Sequence, residues 1–160
     1  MLENRFIFYS IGGVAICFLQ QLLFDRLAIY GLPPDFVTIY VVFLAMREGQ
    51  SFGTTSGFLS GLLLGLLTGT LGPAAFAKSV EGFVGGYFTM PDERNLTKHF
   101  LNAILVASFL GNVSFFLIML SKNVSFLKLF FFYGATGSLY NTLIAYVLFN
   151  IGLKRFFIVR

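Results

Sequence analysis

The chain has 160 residues, of which 57% are hydrophobic and 11% charged, far below the roughly 25% charged residues of an average soluble domain. That balance excludes an ordinary water-exposed surface and predicts an all-α integral membrane protein. The net charge of +4 is scattered over the ends of apolar stretches, which points to topology signals and anionic-lipid contacts and not to a nucleic-acid-binding patch.

Phe6–Phe24 is the first uncharged, mostly apolar stretch, and it exceeds the length of about 18 residues that marks a spanning helix. It is too long for the apolar region of a signal peptide, and Gln20, Gln21, Asp25 and Arg26 stand where a small-residue cleavage site would be. It is therefore expected to remain as the first span, over about residues 6–24. Cys17 is the single cysteine and lies inside it, so an intramolecular disulfide is excluded and a small apolar packing role is expected.

A weaker segment follows. Pro33-Pro34-Asp35 precedes the apolar run Phe36–Met46, which Arg47, Glu48 and Gly49 end. Pro34 suits a first helical position, and Asp35 suits the positive end of the helix dipole. The predicted second span, 35–46, is short or tilted, with Leu27–Tyr30 as a backward extension across a proline break. Pro34 and Asp35 are read as a helix-start device, with a functional contact as the alternative.

The third span, 52–71, carries glycine at every fourth position: Gly53, Gly57, Gly61, Gly65 and Gly69. In a soluble helix each would cost about 1 kcal/mol relative to alanine. In a bilayer the same spacing makes a groove in which a neighbouring backbone can lie close. Gly82 and Gly86 repeat the spacing on the fourth span, 74–90, and Gly134 with Ser138 gives a small-residue pair on the last. Spans three and four are therefore expected to pack closely, with span six nearby. Contact with another protein is the alternative use of the groove.

The fourth span also holds Lys78 and Glu81, each costing about 2.5–3.5 kcal/mol near mid-bilayer. Being three apart they share a helix face. Lys78 is expected to reach outward, with Glu81 deeper, as a structural ion pair; a partner-facing or transport role is the alternative. Two strong spans complete the chain, 100–120 and 127–151. Gln20, Gln21, Asn102, Asn112 and Asn141 are expected as interhelical hydrogen-bonding groups. Tyr30 and Tyr87 are placed near span ends, as interfacial aromatics.

These elements predict a single transmembrane domain over residues 1–160 with six helices and both termini on one side. Arg5, Arg47, Arg94, Lys98, Lys154, Arg155 and Arg160 fall on that side, against Arg26, Lys122 and Lys128 opposite. The positive-inside rule then places both termini in the cytoplasm. Enzymatic patterns are scarce. His99 is the only histidine and is read as a loop residue, and no GxSxG, HExxH or GxxxxGK[ST] occurs. Neither catalytic residues nor a metal or cofactor site is expected.

The order of motifs resembles a known family. Pro34-Asp35 opens the second span, Gly57-Phe58-Leu59-Ser60-Gly61-Leu62-Leu63 lies on the third, Leu71-Gly72 follows, and Gly82-Phe83-Val84-Gly85-Gly86-Tyr87 lies on the fourth. Together these are similar to MreD, the bacterial rod-shape-determining membrane protein, over about residues 20–87. In that family an acidic residue often follows the third-span motif; Gly65 stands there in this chain, so no role of that acid carries over. The resemblance implies a six-helix fold similar to the substrate-binding subunits of energy-coupling-factor vitamin transporters. It also implies a non-enzymatic scaffold of the cell-elongation machinery in the bacterial inner membrane, supporting lateral peptidoglycan synthesis. The implied main partner is the bitopic protein MreC, within an assembly that includes RodA, a class B penicillin-binding transpeptidase and, indirectly, MreB. A substrate-binding subunit of a vitamin or small-molecule transporter is the rival, and a polar cavity lined by Lys78, Glu81 and the fifth-span asparagines would favour it.

Overall fold

The computed structural model describes residues 2–22, 28, 33–88, 95–119, 125 and 127–153. Arg26, Tyr30, Arg94, Lys122, Lys154, Arg155, Arg160 and the side chain of Arg5 lie outside the described residues, as does most of the backward extension proposed for the second span.

The described residues form six α-helices and no strand. They are α1 (Leu2–Leu22), α2 (Phe36–Glu48), α3 (Gln50–Thr68), α4 (Leu71–Gly85), α5 (Leu96–Met119) and α6 (Gly137–Leu148). Wider π-helical turns at Lys128–Thr136 and Phe149–Leu153 continue α6 at both ends. There the hydroxyl of Thr136 donates to the carbonyl of Phe131, five residues back, at 3.2 Å.

Helix α2 forms the centre. It is apolar on every side because every side is covered, and all nine residues from Val37 to Met46 other than Tyr40 are buried. One of its faces joins Phe100 and Ile104 of α5 and Phe149 of the last helix in the main core, where the Phe100 and Phe149 rings stack at 5.0 Å. The weakness of this segment as a predicted span thus reflects a short helix enclosed by longer ones. Helix α1 lies outermost, with Cys17 and Gln20 buried and Ile7, Phe8, Ile11 and Leu22 exposed.

Two glycines make the sharp connections. Gly49 alone separates α2 from α3, with φ +98°, and its N–H donates to Ala45 O at 3.0 Å. Gly69 ends α3 in the left-handed region at φ +75°, while Thr70 N–H reaches back to Gly65 O at 3.0 Å. Residues with a Cβ are strained in these conformations. Helix α3 therefore ends at Thr68, before the predicted 71. Helix α4 begins at Leu71, before the predicted 74, because Pro73 falls in a first turn, where a missing N–H costs nothing. Its helical span closes at Gly85, short of the predicted 90. Helix α5 begins before the predicted 100, which places His99 on its first turn and not in a loop.

Helices α3 and α5 are each long and apolar enough to cross a membrane. The other four are shorter or less continuously apolar, and α4, with 15 residues, is about 22 Å long. Large apolar side chains cover the outside of the bundle, including Phe58 and Leu66 on α3 and Leu139 and Leu143 on α6.

Candidate functional site

The entry to α2 is fixed from two other helices. Asp35 is the N-cap, its carboxylate Oδ1 accepting from Thr38 N at 2.9 Å. Pro34 therefore sits just before the cap, and the first helical residue is Phe36, not Pro34 as predicted. Gln20 on α1 donates through Nε2 to Pro34 O and accepts through Oε1 from Phe36 N, both at 2.9 Å. Asn141 on α6 accepts from Asp35 N at 2.8 Å and donates to Ser108 Oγ on α5 at 2.7 Å. Three N–H groups at the helix start, those of Asp35, Phe36 and Thr38, thus have side-chain acceptors.

The second carboxylate oxygen of Asp35 meets Lys78. The Lys78 ammonium donates to Asp35 Oδ2, to Thr38 Oγ1 at 2.6 Å and to Glu81 Oε2 at 2.9 Å. Thr38 in turn donates its hydroxyl proton to Glu81 Oε2 at 2.8 Å. An ammonium has three N–H bonds, and all three are directed at partners. Lys78 is 4% and Glu81 1% exposed, so Lys78 does not reach outward as predicted. The reason is that two acceptors from α2 wait inside the bundle, and an ammonium there satisfies charges that would otherwise be buried alone.

Gly111 on α5 makes the space for Glu81. A Cβ built there would lie 2.6 Å from Glu81 Cδ, closer than real Cβ atoms approach. Sequence reasoning placed Lys78 beside Glu81 by spacing but did not find Thr38, Gly111 or Ser108, and treated Asp35 separately. The signal for Gly111 was the small-residue spacing Ala103, Ala107, Gly111 at every fourth position of a long apolar helix.

The glycine ladder sets how close the helix carrying Lys78 lies. A Cβ on Gly57 would fall 2.8 Å from the carbonyl carbon of Lys78, and one on Gly61 would fall 2.7 Å from Ala75 Cα. Gly53 faces Gly82 and Ala45, Gly65 faces Leu71, and Gly86 faces Gln50. The groove is filled by α4, with Val41 and Ala45 of α2 along one edge. Gly69 is no rung of it: nothing lies within 4 Å of its Cβ position, and its role is the left-handed cap. The last helix is not beside the ladder either. Gly134 packs on Phe109 and Val113 of α5, because the small-residue spacing marks a close contact without naming the partner. Asn102 and Tyr87 are exposed.

Two recesses adjoin this framework. A cavity of about 250 Å³ lies against the ionic cluster, walled by Asp35, Lys78, Glu81, Gln21, Asn112 and Phe115 among others. Gln21 Oε1 is buried and has no hydrogen-bond partner among the described residues. A larger, mainly apolar groove of about 560 Å³ runs between α1, α2 and α3, past Gly13, Tyr40, Thr55 and Ser60. Tyr40 donates to Tyr9 O at 2.6 Å and Tyr9 to Glu48 Oε1 at 2.8 Å at its end. Among the described residues no group of three His, Cys, Asp or Glu side chains could hold a metal ion.

Set beside known proteins, the chain matches no family model, no curated protein and no solved structure.

Proposed function

We propose that this protein is a non-enzymatic scaffold of the bacterial inner membrane, acting as an MreD-like subunit of the cell-elongation machinery. In this reading all six helices cross the bilayer, both termini are cytoplasmic, and the shorter α2 and α4 are held at depth by their neighbours. The observation that carries it is the use made of the buried polar groups. Lys78, Glu81, Asp35, Thr38, Gln20 and Asn141 all bond to one another or to helix ends, which suits architecture better than turnover. The glycine groove is taken by the protein's own α4, so a partner helix would dock on an outer face, such as the exposed side of α1.

The partners proposed are a bitopic MreC-like protein, with RodA and a class B penicillin-binding protein in the wider assembly. Affinity purification in mild detergent tests this. Recovery of a bitopic coiled-coil protein with wall synthases is expected. Recovery of an ATPase pair with a coupling subunit would instead support the second reading, a substrate-binding transporter subunit, for which the cavity beside Lys78 and Glu81 would be the ligand site.

A further inference from the structure

The groove between α1, α2 and α3 is narrow, and its two ends differ in polarity. Its α3 wall runs from Ser51 to Leu63, about 18 Å of helix. A volume of about 560 Å³ over that length gives a mean cross-section of roughly 30 Å². A helix with its side chains is at least about 10 Å wide and needs roughly 80 Å². One hydrocarbon chain, with its carbons about 4–4.5 Å from their neighbours, needs about 20 Å². The groove therefore admits a single chain and not a helix. Val14, Thr55 and Leu59 line it and are exposed, so a chain can enter from the side.

One end is charged. Glu48 lines the groove there, its Oε1 accepting from Tyr9 at 2.8 Å and lying 3.6 Å from Arg47 Nε. The Glu48 side chain is 25% exposed, and its Oε2 accepts no hydrogen bond among the described residues. Ser51 stands at the same end, whereas Leu59 and Leu63 line the far part. An acid beside a base complements a headgroup that carries both an ammonium and a phosphate.

We propose that this groove holds one acyl chain of a phospholipid whose headgroup bears a primary ammonium, with that ammonium on Glu48 and the phosphate beside Arg47. The ammonium supplies the donor that Oε2 lacks, and a headgroup without a cation leaves the carboxylate unmatched. This inference rests on the membrane reading proposed above and goes beyond it, since a scaffold role requires no bound lipid.

The test is fluorescence quenching of the full chain in phosphatidylglycerol bilayers, with phosphatidylethanolamine brominated on its acyl chains as the probe. The chain has no tryptophan, so Leu59→Trp reports on the groove, and Leu139→Trp, exposed on α6, reports on bulk lipid. Half-maximal quenching of Leu59→Trp is expected at a roughly tenfold lower probe fraction than for Leu139→Trp, the value of a hydrogen bond to a charged group. Glu48→Gln keeps an acceptor for Tyr9 and removes the charge, and is expected to abolish that difference. Brominated phosphatidylglycerol in excess phosphatidylethanolamine should show no preference for the groove. If Leu59→Trp does not accumulate, Thr55→Trp on the same wall takes its place. Equal quenching at the two positions overturns the proposal, as does a preference that ignores the headgroup or survives Glu48→Gln. Protection of the groove position from every brominated lipid also overturns it, and assigns the groove to a protein segment. Absence of quenching at both positions would overturn the membrane reading too, so the two fail distinguishably.

Discussion

Placing a single methyl group between α3 and α4 should be costly, and the cost can be worked from the geometry. A Cβ at Gly57 would stand 2.8 Å from the Lys78 carbonyl carbon, and one at Gly82 would stand 2.9 Å from Thr54 N, where ordinary contact begins at 3.4 Å. Both obstacles are backbone atoms, which cannot rotate away. The nearest obstacles are closer still, the Lys78 carbonyl oxygen for Gly57 and the Gly53 carbonyl oxygen for Gly82, so the helices must part by roughly an ångström, and a gap of that size forfeits about half of each dispersion contact it opens. Overpacking of this kind costs about 1–3 kcal/mol per site. One separation relieves both positions, so Gly57→Ala with Gly82→Ala should cost less than the two singles added, by about 0.5 kcal/mol or more. Gly72→Ala is the control, because nothing lies within 4 Å of its Cβ position, and it should stay within about 0.5 kcal/mol of the parent. The chain has no tryptophan, so unfolding in mixed micelles is best followed by far-ultraviolet circular dichroism. If Gly57→Ala and Gly82→Ala prove as benign as Gly72→Ala, the close approach of α3 and α4 is refuted.

Further outcomes follow from the ionic cluster and its supports. Lys78→Met strands two carboxylates and should cost about 3–5 kcal/mol, read as lost accumulation in the membrane. The triple variant Asp35→Asn/Lys78→Met/Glu81→Met should recover most of it, and equal loss in both would show that the charges are not the cause. Gly111→Ala drives a methyl into Glu81 and should cost about 1–3 kcal/mol. Glu81→Asp, one methylene shorter, should restore part of that in the same background, measured as a double-mutant cycle in the unfolding midpoint. Asn141→Ala leaves the Asp35 N–H without its partner and should cost about 1–3 kcal/mol, whereas an unaltered midpoint would mean water replaces the amide.

What could be read from sequence was whatever lies within a few residues along the chain. The regular glycines between Gly53 and Gly65, the matching pair Gly82 and Gly86, and the adjacency of Lys78 and Glu81 all follow from helical repeat. The partners that complete the cluster do not. Asp35 is 43 residues from Lys78, and Asn141 is 106 from Asp35, distances over which spacing says nothing about contact. The predicted outward path of Lys78 failed for this reason: reaching the interface is the favourable course only for a lysine with no acceptors inside. Gly134 and Ser138 likewise carried a packing signal, but the neighbour of Gly134 is α5. The end of the third helix was misjudged because Gly69 continues the four-residue rhythm while adopting the one conformation that stops it.

Asp35 holds the start of one helix and neutralises a cation on another, and this sets an order for biogenesis. It leaves the ribosome 43 residues ahead of Lys78, with Thr38 close behind it. When the segment that carries Lys78 emerges, the Asp35 carboxylate and the Thr38 hydroxyl that receive it have therefore already been made, and on the six-span reading proposed above the lysine can be handed from water to carboxylate without a stage alone in lipid. Gly111, which houses the glutamate, arrives only afterwards, so the acidic side chain is the last member of the group to find its seat. Moving Asp35 to a later point in the chain, by circular permutation, would keep the native contacts and yet leave Lys78 with Glu81 alone to balance it while the segment emerges.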